Sequence, residues 1–382
     1  MKYDFIIFGG TGIQGRICAK DLIGSGYSVL LVGRDKSKIR KLLQSRKASF
    51  LKVDLKNYKN IVHAIKKSGA DVVVNCAELI FNVDIMKACI DTKKSVTDLG
   101  GLQKVTKKQF KLHDDFKKEG IISITGCGST PGITNVMVKH AVDNLDEVHK
   151  INLGFAWDSN IKKFVIPYSM SSIFQEFTEA PTTLHDGKFI KENRMTCMGI
   201  MNFKRIGKQK VYCIVHSEVY TFYRYFKNKG LKNVHYFAGF PDHSMKVIQD
   251  LIDTGFKSED KVNVGRTEVK IEEFTNNVLK KIPVPKGYKE IENIWANIYG
   301  VKNKKKVKKE MNCIVKTEKG WEDAGSNIDT GRTIAIISEM IKKGIILEKG
   351  VYAPEAVIPP NLFFKELKKR KMLVYENGKS VS

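Results

Sequence analysis

No run of about 18 or more apolar residues occurs in this 382-residue chain, which excludes a membrane-spanning helix of ordinary length. A charged leader followed by an apolar stretch is lacking too. The first strand pattern begins within four residues of Met1, so a cytoplasmic protein is expected. The seven cysteines (Cys18, Cys76, Cys89, Cys127, Cys197, Cys213, Cys313) include no C-x-x-C pair and no closely spaced histidine. No metal site is therefore expected, and most of the thiols read as small buried residues of a reducing compartment. Acidic residues are in deficit, 41 against 66 Lys and Arg, for a formal charge of +25. Such an excess suits anionic small molecules. Nucleic acid is not expected as a partner, because the lysines are spread over polar helix faces. Only Lys304 to Lys309 (KKKVKK) form a tight cluster, with no aromatic beside it.

What is present is a globular composition, 42% apolar and 28% charged, on a chain long enough for two domains. Short apolar runs alternate with helical spacing over the first 130 residues, the pattern of successive βα units. Strands are expected at Tyr3–Phe8, Ser28–Val32, Ser49–Val53, Asp71–Cys76, Ser95–Asp98 and Ile121–Thr125. The fold class is thus α/β, a Rossmann-type doubly wound parallel sheet followed by a second, α+β substrate domain. Boundaries are set at residues 1–130 for the dinucleotide domain, 131–340 for the substrate and dimerisation domain, and 341–382 for a C-terminal segment packing back towards the first. In the second part, Lys150–Ala156 and Val211–Val215 alternate as strands and His243–Thr254 is spaced as a helix, while Lys281–Tyr288 and Gly300–Lys309 read as loops or turns. Thr333–Lys343 and Asn361–Lys371 are the last expected helices.

The most informative motif is Gly10-Thr11-Gly12-Ile13-Gln14-Gly15, a G-x-G-x-x-G placed where an apolar strand ends and a helix opens. Gly10 permits the tight turn, Gly12 admits a pyrophosphate to the backbone, and Gly15 lets helix pack on strand. The unpaired N–H groups of the helix start then face the phosphate charge. An NAD site ordinarily carries Asp or Glu about 20 residues further on. Here the second strand ends in Val32-Gly33-Arg34, and a cation favours a 2′-phosphate, reinforced by Lys36 and Lys38 and opposed by Asp35 if that side chain faces the ribose. NADP(H) is the expected cofactor, with NAD(H) as the alternative. Asp54, at the third strand's end, is a candidate for the adenine amino group or else a helix cap, and Asn75-Cys76-Ala77 would let the nicotinamide side pass.

Three further segments are Asp98-Leu99-Gly100-Gly101, Gly126-Cys127-Gly128-Ser129-Thr130-Pro131-Gly132-Ile133-Thr134-Asn135 and Gly350-Val351-Tyr352-Ala353-Pro354-Glu355. With the glycine loop, in this order and spacing, the chain resembles the saccharopine dehydrogenase-like family, which includes saccharopine reductase, lysine 6-dehydrogenase and carboxynorspermidine dehydrogenase. The resemblance implies an NADP(H)-dependent oxidoreductase acting on the CH–NH group of an amino acid or imine, and a homodimer. It also implies substrate contacts at Glu78, at Asp98, and from Thr130, Pro131 and Gly132 to Asn135. Thr130 departs from the acidic residue that the saccharopine reductase branch carries before Pro-Gly, and Arg34 departs from the acid expected in the lysine 6-dehydrogenase branch.

Amine oxidation requires a proton acceptor near the nitrogen. Asp98, Glu78 and His216 are the candidates, each with a structural alternative such as a cap or a core histidine. Arg224, within the aromatic run Tyr220–Phe226, is the candidate clamp for a substrate carboxylate, or else an arginine stacked on a surface ring. A cofactor-binding regulatory protein without catalysis is the alternative function.

Overall fold

The computed structural model describes residues 2–193, 197–322 and 324–382. Its first sheet is built from β1 (Phe5–Phe8), β2 (Val29–Gly33), β3 (Ala48–Lys52), β4 (Val72–Asn75), β5 (Ser95–Asp98) and β6 (Ile122–Thr125). The helices α1 (Ile13–Gly24), α2 (Tyr58–Ser68), α3 (Asn82–Thr92), α4 (Gln103–Phe110) and α5 (His113–Lys118) connect them. All pairings are parallel in the order β6-β5-β4-β1-β2-β3. The FIIF run of β1 is apolar throughout because both faces of its strand are covered. Phe5 and Ile7 enter one core with Ile17 of α1, while Ile6 and Phe8 enter another with Ile61 and Ile65 of α2.

The second part opens with α6 (Ile133–Asp143) and the long β7 (Glu147–Ser159), then α7 (Met170–Thr178), β8 (Thr182–His185), β9 (Lys188–Lys191), β10 (Met198–Phe203) and β11 (Gly207–Cys213). It continues through α8 (Glu218–Phe226), β12 (Asn233–Gly239), α9 (Asp242–Asp253), a small hairpin β13 (Lys261–Val264) and β14 (Thr267–Lys270), and α10 (Ile271–Leu279). The strands β15 (Glu290–Lys302) and β16 (Lys305–Lys316) follow, then α11 (Ile328–Lys342), β17 (Gly350–Tyr352), α12 (Pro354–Val357), α13 (Pro360–Lys369), β18 (Leu373–Glu376) and β19 (Lys379–Ser380). The second sheet runs β10-β11-β12-β7-β15-β16-β18-β19, with β8 and β9 paired beside β12.

The chain returns to the first sheet twice. Helix α11 packs against α1, β4 and β5, and β17 adds a seventh parallel strand beside β6. Half-buried Arg370, just past α13, binds Asp21 of α1 at 2.8 Å and Glu339 of α11 at 2.7 Å, so these three helices share one ion-pair cluster.

Two expectations need correction. Gly300–Lys309 is no loop: it spans the end of β15 and the start of β16, paired in continuous antiparallel register. The lysine-rich composition hid a two-residue turn, Asn303-Lys304, whose φ values of 49° and 62° are the pair that a type I′ hairpin demands. The basic cluster is therefore a hairpin arm, in which Lys309 binds Glu376 at 2.6 Å and Lys308 pairs with Glu310. The cysteines, read mostly as small buried thiols, include one pair that is joined: Cys197 and Cys213 form a disulfide with their Cα atoms 5.4 Å apart, brought together where β10 and β11 pair.

Candidate functional site

The strand order reverses direction between β1 and β4, which opens a crevice beyond their carboxyl ends. The glycine loop lies there. Gly10 N–H donates to Val32 O at 2.8 Å, tying the loop to β2, and Gly12 is the N-cap of α1 with no side chain satisfying the helix start. A Cβ on Gly15 would sit inside the Gly9 carbonyl oxygen, so close packing of helix on loop requires glycine. Uncapped N–H groups at the end of an exposed glycine loop form a cradle for a diphosphate. Ile13 is exposed at its rim, Thr11 packs against Gly33, and Gln14 Nε2 donates to Asn327 Oδ1 at 2.9 Å, which fixes the loop to the segment before α11.

Beside this cradle Arg34 is exposed and in no ion pair among the described residues. The opposing carboxylate of Asp35 is occupied: it accepts from Ser37 N at 2.9 Å and Ser37 Oγ at 2.6 Å, capping its own turn, and those bonds hold it below the usual range. Asp54 likewise accepts from Lys56 N at 3.0 Å and is exposed. The residues present thus fit a dinucleotide with a 2′-phosphate.

A buried amide and carboxyl network ties the tips of β4, β5 and β6. Asn75 Nδ2 donates to Asn82 Oδ1 at 2.9 Å, and Asn75 Oδ1 accepts from Ala77 N at 3.0 Å. Asp98 accepts from Gly100 N at 2.7 Å, Thr125 Oγ1 at 3.0 Å, Asn82 Nδ2 at 3.3 Å and Gln109 Nε2 at 2.6 Å. Burial pushes its carboxyl up to about 6 even so. With both oxygens engaged, Asp98 holds three loops in place. Cys76 and Ala77 are half-buried on the crevice side, and Glu78 is exposed with no partner given by its turn.

The Thr130–Pro131 bond is cis, and Gly132 has φ 138° with the Gly128 carbonyl oxygen where a Cβ would stand, so only glycine fits. Asn135 caps this turn, its Oδ1 accepting from Gly132 N at 2.8 Å, while its Nδ2 donates to Glu355 Oε2 at 2.7 Å.

Across the crevice stands a group from the second sheet. The His216 ring stacks on Tyr236 at 3.9 Å between centroids and 8° between planes. Its Nδ1 is bonded to Glu218, a buried carboxylate that also accepts from Thr134 Oγ1 at 3.2 Å. Tyr168 Oη donates to Glu176 Oε2 at 2.5 Å. Thr130 lies beside the Tyr236 hydroxyl, and Glu176 lies near His216. Glu292 of β15 meets Asp329 of α11. Asn327 links the two halves, since its Nδ2 donates to Pro167 O at 2.6 Å while its Oδ1 receives Gln14.

The structure therefore brings the glycine loop, Asn75 to Ala77, Asp98, Thr130 to Asn135 and His216 to one crevice. Arg224 is not brought to the His216 group: exposed on α8, it sits 4.7 Å over the Phe110 ring of α4. Sequence reasoning missed Glu218, Tyr236, Tyr168, Glu176, Glu292 and Asp329. Only Glu218 had a local signal, two residues beyond His216 where a turn enters a helix.

Burial raises Asp98 and Asp329 to about 6, and Glu176 and Glu355 to about 7. A carboxyl raised above its unfolded value, near about 4, stabilises the fold fully below that value and loses the contribution as pH rises through the folded one. His235 and His243, held low by burial, act in the opposite sense. Four raised acids outweigh two lowered histidines. Calorimetry of the chain without added nucleotide should give a Tm at about pH 5.5 that is higher than at about pH 8, by roughly 3 °C or more. A flat or rising trend with pH would contradict this account of the buried acids.

Comparison with known proteins extends these observations. The profile of the saccharopine dehydrogenase NADP binding domain matches residues 5–124, and that of the saccharopine dehydrogenase C-terminal domain matches residues 128–373. Carboxyaminopropylagmatine dehydrogenase of Synechocystis sp. is 21% identical over 311 residues, covering 78% of each chain. The apo saccharopine dehydrogenase (L-Glu forming) of Saccharomyces cerevisiae superposes with a TM-score of 0.76 over 100% of both chains at 12% identity, a likeness of fold.

Proposed function

This chain belongs to the saccharopine dehydrogenase family, and from that premise we propose that it oxidises a small amino acid at a carbon–nitrogen single bond, or reduces the corresponding imine, in the crevice between its two sheets. The class itself is an NADP-dependent oxidoreductase. The observation that supports the finer reading is a buried histidine–carboxylate pair, His216 and Glu218, whose ring stacks on Tyr236 and whose carboxylate accepts from Thr134 at the start of α6.

Backbone N–H groups from Gly12 to Gly15 would hold the diphosphate, Arg34 the 2′-phosphate, and Asn75 to Ala77 the edge of the nicotinamide. NADP, when bound, supplies the hydride-accepting chemistry. The chain's own residues handle position and protons. A carboxylate only accepts hydrogen bonds, so the His216–Glu218 contact sets the proton on Nδ1 and leaves the Nε2 lone pair free. Nε2 makes no hydrogen bond among the described residues and is the atom we assign to take the proton from the substrate nitrogen. Asp98, saturated by donors, acts as a positioning residue for the loops after β4, β5 and β6. The same proposal divides the chain near residues 130 and 340 and makes it a cytoplasmic homodimer, the latter to be read by light scattering.

An absorbance screen at the reduced-nicotinamide band tests the reading, using NADP with a panel of L-amino acids and NADPH with amine plus 2-oxo acid or aldehyde pairs. Turnover of at least one CH–NH substrate, with NADP favoured over NAD, is the expected result. Tight NADPH binding with no turnover across the panel would favour a regulatory protein instead.

A further inference from the structure

One buried acid, Glu355, lies outside both the cofactor cradle and the His216 pair. It sits in the first turn of α12, the short helix that follows β17, and is 1% exposed. Helix α12 packs on α6 and on α8, so this carboxyl stands where the C-terminal return of the chain meets both helices. Its Oε2 accepts from Asn135 Nδ2 at 2.7 Å, and Thr221 of α8 lies against the same carboxyl. Ala353, two residues earlier, adds a second tie to α8, its backbone N donating to Tyr225 Oη at 3.4 Å.

From Glu355 a line of contacts reaches the histidine. Asn135, held by Glu355 through its Nδ2, uses its Oδ1 to accept from Gly132 N at 2.8 Å, which fixes the turn that carries Thr130. The neighbouring Thr134 hydroxyl has one proton and two acceptors at 3.2 Å, Asn135 Oδ1 and Glu218 Oε1. An ionised carboxylate is the stronger acceptor, so that proton goes to Glu218. Glu218 in turn holds His216. Burial, with the charge of Glu218 adding to it, pushes the Glu355 carboxyl up to about 7 against the bonds from Thr221 and Asn135. The other titratable groups of the two helices are engaged: on α6, Lys139 pairs with Asp143 and His140 with Glu376, and on α8, Arg224 lies over the Phe110 and Tyr225 rings. The Tyr225 hydroxyl is pushed up by burial and then by Glu355, so it stays neutral.

We infer that Glu355 is a positioning residue that clamps the Gly132 turn to α8 and so keeps the Glu218 carboxylate against His216. This rests on the reading of His216 as the proton acceptor. A neutral carboxyl can accept from Asn135 and donate to Thr221 at once, whereas a carboxylate only accepts and also repels Glu218. The clamp therefore closes with the acid protonated and loosens when the proton leaves. Glutamine, which accepts through its oxygen and donates through its nitrogen, copies the closed form.

Glu355→Ala should lower kcat about 30-fold with KM for NADPH unchanged, and Glu355→Gln should recover all but about threefold of that loss. The pH profile separates a clamp from ordinary packing. Wild-type kcat/KM should fall as pH rises through about 7, and that limb should be gone in Glu355→Gln. Hydrogen exchange read by mass spectrometry on the full chain follows the clamp without turnover. After correction for the intrinsic pH dependence of exchange, peptides covering 128–136 and 217–226 should both be less protected in wild type at about pH 8.5 than at about pH 6. The difference should vanish in Glu355→Gln, while the glycine-loop peptide 9–24 stays level in both chains. Where Glu355→Ala fails to fold, the comparison of wild type with Glu355→Gln decides. A Glu355→Gln chain that keeps the wild-type alkaline limb, or is as impaired as Glu355→Ala, would overturn the clamp. Joint, pH-dependent protection without turnover of any amine would leave the clamp standing and remove the oxidoreductase reading, and turnover with protection indifferent to pH would do the reverse.

Discussion

Replacing Arg34 by Asp is expected to raise the KM for NADPH by about 100-fold or more, while the KM for NADH stays level or falls. Arg34 follows the last residue of β2, beside the glycine loop, with its guanidinium exposed and unpaired. A charge-assisted, bidentate contact with a phosphate contributes roughly 2–3 kcal/mol, and an aspartate there adds repulsion of the same phosphate. NADH carries no such group, and its ribose hydroxyl would donate to the new carboxylate. Exposure lets salt weaken the effect, so both cofactors are compared at one low ionic strength. Asp35 cannot already be supplying NAD preference, since Ser37 holds its carboxylate in a turn. Arg34→Ala should fall between wild type and Arg34→Asp. An Arg34→Asp chain whose NADPH KM stays within about threefold of wild type would place the 2′-phosphate elsewhere, with Lys36, Lys38 or Arg40 as the next cations to change.

The residues behind this prediction were legible because a parallel sheet leaves a strong mark. The central strands β1, β2 and β4 are buried on both faces and read as nearly unbroken apolar runs, and the glycine loop sits at a fixed place between strand and helix. Local patterns failed where the determinant was backbone sign or distance along the chain. The β15–β16 turn depends on two positive φ values at Asn303 and Lys304, a feature masked by the surrounding lysines. The crevice acids come from residues 176, 218, 292 and 329, on α7, α8, β15 and α11. Apart from Glu218, two residues beyond His216, nothing in any one of those segments marks its carboxylate as part of the group. His216 was nameable, but its stacking ring, Tyr236, was visible only once β12 had been laid beside β7.

The second large effect is expected at that histidine. His216→Gln should lower kcat by about 100- to 1,000-fold, the range of a lost general base, with KM for NADPH unchanged because the cradle lies on the other wall of the crevice. Glutamine keeps a polar side chain of similar reach beside Glu218, so the buried carboxylate retains a hydrogen bond and the fold is spared an unpaired charge. It offers no basic nitrogen. The acid limb of the wild-type pH profile of kcat/KM should therefore disappear in the variant. Glu218→Gln separates positioning from proton transfer. The imidazole keeps its basic nitrogen but loses the partner that fixes its tautomer, so kcat should fall only about 10-fold and the acid limb should persist at a shifted pH. If His216→Gln retained wild-type kcat and an unaltered profile, the stacked histidine would be a core residue that merely caps Tyr236. The proton acceptor would then have to be sought among the raised carboxyls on the same wall, with Glu176 first.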